Sequence, residues 1–145
     1  MKKCYLDSNV LIYFKDDKSP QHKEALDKLI KLISLQSELY ISPLVLDEFI
    51  YVIKHLLSLQ KSKTVFTDLE KSLRDILDIP NIKLINPPIE PVKQLETVKY
   101  MRKYRLSARD AYHLLIILEN KINFFFTFDN DFKSVFTDRI ITSYW

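Results

Sequence analysis

Asn123-Phe124-Phe125-Phe126-Thr127-Phe128-Asp129 is the stretch on which the reading of the fold turns. Four of its five central residues are phenylalanine, with neither helical spacing nor polar alternation. A short apolar run bounded by Asn and Asp is the pattern of a strand buried on both faces. Such a strand belongs inside a sheet that is covered on both sides, which here predicts a central strand over residues 123–128.

Working outward, strand and helix signals alternate along the whole chain. Further strands are expected over residues 3–7, 39–41, 82–85 and 140–142. Helices are expected over 8–14, 21–35, 44–59, 61–77, 90–104 and 108–120, with a helical turn over 129–135. The boundaries have local causes. Asp7 or Ser8, Ser42 and Ser107 are side chains that cap helix starts, Pro20 and Pro43 suit first turns, and Pro80 ends a helix. Alternation without hairpin turns predicts an α/β fold of three layers, a central parallel sheet with helices on both faces. In such sheets ligands bind beyond the carboxyl ends of the strands. That rule singles out Asp7, Ser42-Pro43, Asn86 and Thr127-Phe128-Asp129.

The 145 residues suit a single domain, taken here as 1–145. At 47% hydrophobic and 28% charged, the chain can build a core and a solvated surface. No apolar run approaches the about 20 residues that cross a bilayer. Met1-Lys2-Lys3-Cys4-Tyr5-Leu6-Asp7 meets an acid too early for a signal peptide, so a cytoplasmic location is expected and no membrane partner. The single cysteine, Cys4, excludes an internal disulfide and a cysteine-based zinc site. The sequence contains no glycine, which excludes a P-loop, a G-x-G-x-x-G dinucleotide fingerprint and a glycine-flanked serine elbow. Turns are expected to use Asn, Asp, Ser and Pro instead. The formal charge of +3 neither demands nor forbids a nucleic-acid partner.

Four acids carry the functional signal. Asp7 ends the first strand, Glu48 lies near the start of an apolar helix, Asp110 lies in the first turn of another, and Asp129 follows the phenylalanine strand. Singly, each has an ordinary explanation. The helix dipole favours an acid in the first turn by about 0.3–1 kcal/mol, and Asp is common after strands. Together, all four project to one edge of the sheet. Converging carboxylates repel unless a cation lies among them. Oxygen ligands without His or Cys suit Mg2+ or Mn2+, and such ions support phosphodiester hydrolysis.

The segments Tyr5-Leu6-Asp7-Ser8-Asn9-Val10-Leu11-Ile12, Ile41-Ser42-Pro43-Leu44-Val45-Leu46-Asp47-Glu48, Ala108-Arg109-Asp110-Ala111 and Phe126-Thr127-Phe128-Asp129-Asn130-Asp131-Phe132 resemble, in order, the motifs of PIN-domain nucleases. Within that family the bare single domain is most similar to VapC-type toxins of toxin–antitoxin pairs. The resemblance implies an Mg2+- or Mn2+-dependent endoribonuclease. Its metal ligands and catalytic acids would be Asp7, Glu48, Asp110 and Asp129, with Asp131 an added metal ligand and Ser8, Asn9 and Thr127 in support. It also implies an RNA substrate, a protein antitoxin and a homodimer. Asp47 adjoins Glu48 but points about 100° away on a helix, and reads as a surface or supporting residue.

Lys99, Arg102, Lys103, Arg105 and Arg109 form a basic run leading into Asp110, a candidate RNA-phosphate surface. His22, His55 and His113 share no ligand spacing and read as solvated or core residues. Tyr100, Tyr104 and Tyr112 recur at helical spacing and read as packing. The helices over 44–59 and 61–77 are rich in Ile and Leu, which points to a dimer surface there. Two alternatives stand beside the nuclease. Asp7-Ser8-Asn9-Val10 looks like the nucleophile motif of haloacid-dehalogenase-like phosphatases, though Asn9 replaces a second Asp. A PIN-like interaction domain without activity is the other.

Overall fold

The computed structural model describes residues 1–144. Five parallel strands form one sheet: β1 (Lys3–Leu6), β2 (Glu38–Ile41), β3 (Ile82–Leu84), β4 (Phe124–Phe126) and β5 (Thr142–Ser143), in the order β3-β2-β1-β4-β5. Between them run α1 (Ser8–Lys15), α2 (His22–Ser34), α3 (Pro43–Leu59), α4 (Val65–Leu77), α5 (Leu95–Tyr104), α6 (Ala108–Glu119) and α7 (Lys133–Thr137). Right-handed crossovers put α1 to α4 on one face and α5 to α7 on the other, because the direction of travel across the sheet reverses after β3. The packing agrees: α1 meets α2 and α3, α3 meets α4, and α5 meets α6. This is the expected three-layer α/β/α architecture.

The phenylalanine strand is shorter than its aromatic run, and β1 rather than β4 is the middle strand. β4 is interior all the same, between β1 and β5. Phe125 and Phe126 are fully buried on opposite faces. On one face Phe125 packs edge-on against Phe132, with ring centroids 4.8 Å apart, and beside Tyr5 of β1 at 5.7 Å. On the other, Phe126 stacks near Phe128 and Tyr144. Phe124, at the start of β4, is only half-buried, with the Lys2 ammonium 5.2 Å from its ring centroid.

Several boundaries differ from the sequence reading, each for a local reason. The helix expected from Lys61 begins at Val65, because Lys61 adopts a left-handed backbone that closes α3. Ser62 and Thr64 then donate their hydroxyls to Asp68, bracing the first turn of α4. The helix expected over 90–104 opens as a 3-10 turn at Pro91–Gln94 before α5, and the turn after β4 is a 3-10 turn at Asn130–Phe132 leading into α7. The last strand starts at Thr142, two residues late, after a left-handed Arg139 and an inward-turned Ile141.

The turn chemistry also departs from expectation. Left-handed backbone falls on Gln36, Lys61, Asn81, Arg105, Lys121 and Arg139, so only one is Asn. Gln36, Lys61 and Lys121 each sit just past a helix and form the paired bonds that close helices: Gln36 and Ser37 donate to Ile33 and Leu32, Lys61 and Ser62 to Ser58 and Leu57, Lys121 and Ile122 to Leu118 and Ile117. Glycine normally fills this position because a Cβ is strained there. Here long polar side chains bear that strain.

Candidate active site

The crossover direction reverses between β1 and β4, so the carboxyl ends of these two strands open a crevice between them. Asp7 and Thr127 leave the two strands side by side. The Asp7 amide donates to the Phe126 carbonyl at 3.0 Å. The Asp7 carboxylate caps α1 by accepting from the Ser8 amide at 2.8 Å. Its second oxygen accepts from the Thr127 hydroxyl at 2.6 Å and the Asn9 amide at 3.2 Å. Asn9 in turn takes the Phe128 amide on its side-chain oxygen, tying the two strand ends together. Thr127 also receives the Asp129 amide, which sets the turn that presents Asp129.

α3 brings Glu48 to the same edge. The Ser8 hydroxyl donates to one Glu48 oxygen and His113 Nε2 meets the other, both at 2.7 Å. A carboxylate only accepts, so Nε2 carries the proton. His113 Nδ1 lies 3.0 Å from the Tyr5 hydroxyl, which lies 2.6 Å from the Ser42 hydroxyl at the start of α3. A closed polar network of Ser42, Tyr5, His113, Glu48 and Ser8 therefore runs beneath the site. His113 is 1% exposed and has both ring nitrogens engaged. The sequence reading missed it as part of the site. The available signal was its position three residues after Asp110 on α6, a spacing that puts two side chains on one helix face.

α6 supplies Asp110. Ser107 caps the helix, accepting from the Asp110 amide at 3.2 Å and donating to its carboxylate at 2.8 Å. Carboxylate oxygens of Asp110, Asp129 and Asp131 all lie within 4.8 Å of one another, as do ligand atoms of Asp7, Glu48 and His113. The expected single cluster is thus two adjoining groups. They feel each other's charge, since His113 acts on both Asp7 and Asp110.

The electrostatics differ from acid to acid. Burial pushes the Asp7 carboxyl up, with Glu48 adding to the rise and His113 and Thr127 opposing it. Burial also pushes Glu48 up, but the His113 bond and charge, the Ser8 bond and Arg109 outweigh it, so Glu48 lies below the ordinary range. Asp110 is raised, first by burial and then by Asp129 and Asp131, against the Ser107 bond and His113. Arg109 Nε stands 3.9 Å from Glu48.

The donor set fits a hard divalent cation. The groups are carboxylate oxygens in settings that run from buried at Asp7 to exposed at Asp131, and the one nitrogen among them, on His113, is already committed to Glu48 and Tyr5. Two clefts flank the acids, with Arg109 in the wall of both. One, of about 430 Å3, is lined by Ser8, Asp47, Glu48, Tyr51 and Val52. The other, of about 690 Å3, is lined by Leu44, Thr97, Ser107, Ala108, Asp110 and Tyr112.

Of the basic run, Lys99 pairs with Glu96, Lys103 with Asp138 and Arg109 with Glu48. Arg102 and Arg105 are exposed, Arg105 in the left-handed residue that ends α5. Tyr104 is buried and donates its hydroxyl to Asp138, and Tyr112 donates to Gln94, so both pack as expected.

The PIN domain family model matches residues 4–136, and the chain belongs to the PIN-domain family. A search of curated protein sequences finds no match. Among solved structures, FitAcB of Neisseria gonorrhoeae aligns with a TM-score of 0.68 at 17% identity, over 98% of this chain and 96% of that one. VapBC2 of Rickettsia felis, bound to a DNA fragment from its promoter, aligns with a TM-score of 0.66 at 16% identity, over 97% and 96%. VapC20 of Mycobacterium tuberculosis, a toxin that cleaves the sarcin–ricin loop, aligns with a TM-score of 0.66 at 12% identity, over 91% and 94%.

Proposed function

We propose that this chain is a metal-dependent endoribonuclease, the toxin of a toxin–antitoxin pair. The observation that carries the reading is the pair of acidic groups, Asp7 and Glu48 with His113 and Asp110 with Asp129 and Asp131, beside the crevice between β1 and β4. Asp7, Glu48, Asp110 and Asp129 would hold Mg2+ or Mn2+, with Asp131 adjoining. Such an ion, when bound, neutralises phosphoryl charge and lowers the pKa of a coordinated water. The chain's own part is positioning. Ser8, Asn9 and Thr127 fix both oxygens of Asp7, while Ser8 and His113 fix Glu48, so neither carboxylate can turn away. Arg109 offers a guanidinium to a phosphate between the two clefts, and Arg102 and Arg105 extend that charge along α5.

Clefts on both sides of the acids suit a polymer crossing the site more than a small phosphate ester. Asn9, where a phosphatase would use a second acid, holds Asp7, Thr127 and the Phe128 backbone, so nothing in the site favours that alternative. The neighbouring structures VapBC2 and VapC20 support the toxin part of the reading through their fold. An antitoxin placing an Arg or Lys among the acids would mask them. A homodimer belongs to the same reading. α3 and α4 pack on each other, which accounts for much of their apolar content. Among the described residues the densest exposed apolar run is instead Ile89, Val92, Leu95 and Val98, where the dimer surface is better sought.

The test is cleavage of single-stranded RNA by purified protein with Mg2+ or Mn2+, against an EDTA control. Cleavage that stops in EDTA and in Asp7→Asn supports the proposal. Undiminished cleavage in EDTA, or none with either metal, removes it and leaves the interaction domain.

A further inference from the structure

The smaller cleft has a wall that the catalytic acids do not explain. α3 is two residues into its second turn at Glu48, and Asp47, Glu48, Tyr51 and Val52 all line this cleft. At 100° per residue, Tyr51 falls between Asp47 and Glu48 on the helix surface. The 100° that separates the two acids therefore does not take Asp47 away from the site. It places Asp47 at the outer lip of the groove, with the Tyr51 ring between the two acids. Tyr51 is 75% exposed, an unusual state for a large aromatic side chain on a long helix. Arg109 stands opposite, on α6.

Resting on the nuclease reading above, we infer that Asp47 and Tyr51 form a base-binding subsite beside the scissile phosphate, selective for guanine. An exposed tyrosine ring next to a phosphate-cleaving centre is a platform on which an unpaired base can stack, with any base able to use it. Selection then comes from the edge. Asp47 is exposed and, as a carboxylate, only accepts. It rewards bases that present donors, and guanine alone among the four offers two side by side on its Watson–Crick edge, N1–H and N2–H, matching both carboxylate oxygens. Uracil, cytosine and adenine each offer one donor group beside an acceptor, which the carboxylate repels. The cleft volume of about 430 Å3 is within the range of small-ligand sites, and Arg109 supplies the charge for the adjoining phosphate.

The experiment separates this subsite from catalysis. Fluorescein-labelled hexauridylate, and the same oligonucleotide with one central guanosine, adenosine or cytidine, are titrated with wild-type protein in EDTA and followed by anisotropy. The guanosine probe should bind tightest. Asp47→Asn should bring the guanosine probe to the level of the others, while Tyr51→Ala should weaken all four about ten-fold and Tyr51→Phe should restore them. Equal binding of all probes by wild type, no binding at all, or unchanged binding by Asp47→Asn or Tyr51→Ala overturns the subsite. So does a Tyr51→Ala variant that only converts a dimer to a monomer, since Tyr51 then belongs to an interface between copies. A parallel cleavage assay with Mg2+ keeps the two readings apart. Cleavage at the same positions and rates by wild type and both variants refutes the subsite and keeps the nuclease. Guanosine-selective binding without cleavage refutes the nuclease and keeps the subsite.

Discussion

Replacing Asp110 with Asn removes one negative charge from the carboxylate group at almost constant shape, and its outcome can be worked from the geometry. The Ser107 hydroxyl donates to the Asp110 side chain and accepts its backbone amide. An asparagine carbonyl keeps the first bond and leaves the second untouched, so the start of α6 stays capped. What changes is repulsion. With oxygens of Asp110, Asp129 and Asp131 within 4.8 Å, each like-charged pair costs about 3.5 kcal/mol at an effective dielectric of about 20. Half-exposure, mobile ions and partial protonation reduce this to about 1–2 kcal/mol for the two pairs that Asp110 makes. At about 2–4 °C per kcal/mol for a chain of this size, the metal-free variant should melt about 2–8 °C above wild type.

The pH dependence has a definite sign. The folded-state pKa of Asp110 is raised, by burial first and by Asp129 and Asp131 after it. Relative to the unfolded chain, its contribution is most favourable below the ordinary carboxylate range and is lost as pH rises through the raised value. The stabilisation by Asp110→Asn should therefore grow from acid toward neutral pH, and shrink in 1 M KCl, where screening reaches about 3 Å. Saturating Mg2+ or Mn2+ should raise the melting temperature of wild type more than that of the variant, because an ion held by the proposed acids would bind the folded state alone. The assay is thermal melting of both proteins with and without metal, beside RNA cleavage, which the variant should lose. A variant that melts lower than metal-free wild type and still cleaves would make Asp110 an ordinary helix-start acid.

The same packing and polar contacts bear on further substitutions. His113→Ala leaves Glu48 with the Ser8 bond and only the long Arg109 pair, so RNA cleavage should fall at least ten-fold, while His113→Gln, which can still donate, should recover part of it; equal activity in all three would separate His113 from the site. Gln36→Gly, Lys61→Gly and Lys121→Gly together should raise the melting temperature by about 5 °C, at about 0.5–1 kcal/mol for each relieved left-handed residue, and a drop would mean those side chains contribute more than their strain. Asp138 is held below its usual carboxyl range, first by the Tyr104 hydroxyl and then by Lys103. Its contribution is present at neutral pH and lost as pH falls through the carboxylate range, so Asp138→Asn should flatten the acid limb of a stability–pH curve, and an unchanged limb would count against the pairing.

The parts of this molecule legible in its sequence are those fixed by local pattern. The aromatic run around Phe125 announced an interior strand because it is short, bounded by Asn and Asp, and apolar on both faces of an extended chain. Ser42, Ser107 and Asp7 announced helix starts because a cap needs only its own next few amides. Asp7, Glu48, Asp110 and Asp129 stood out because each falls where chain direction brings it to one edge of the sheet, which requires topology but no side-chain detail. What the sequence concealed depends on which helix face meets which neighbour. Asp110 and Asp129 form one group with Asp131, and Asp7 and Glu48 form another with His113, because α6 turns His113 inward under β1 while holding Asp110 at its exposed first turn. His113 looked like a core histidine because it is one, and its Nε2 bond, with the Ser8 hydroxyl, is also what holds Glu48 in place. Asp47 looked removed from the site because one residue along a helix is a turn of 100°; only the exposed Tyr51 between the acids shows that the groove is wide enough to include both. A single-residue angle therefore could not decide whether Asp47 lies away from the site, whereas the groove-lining positions 47, 48, 51 and 52 of α3 put Asp47 and Glu48 on one cleft.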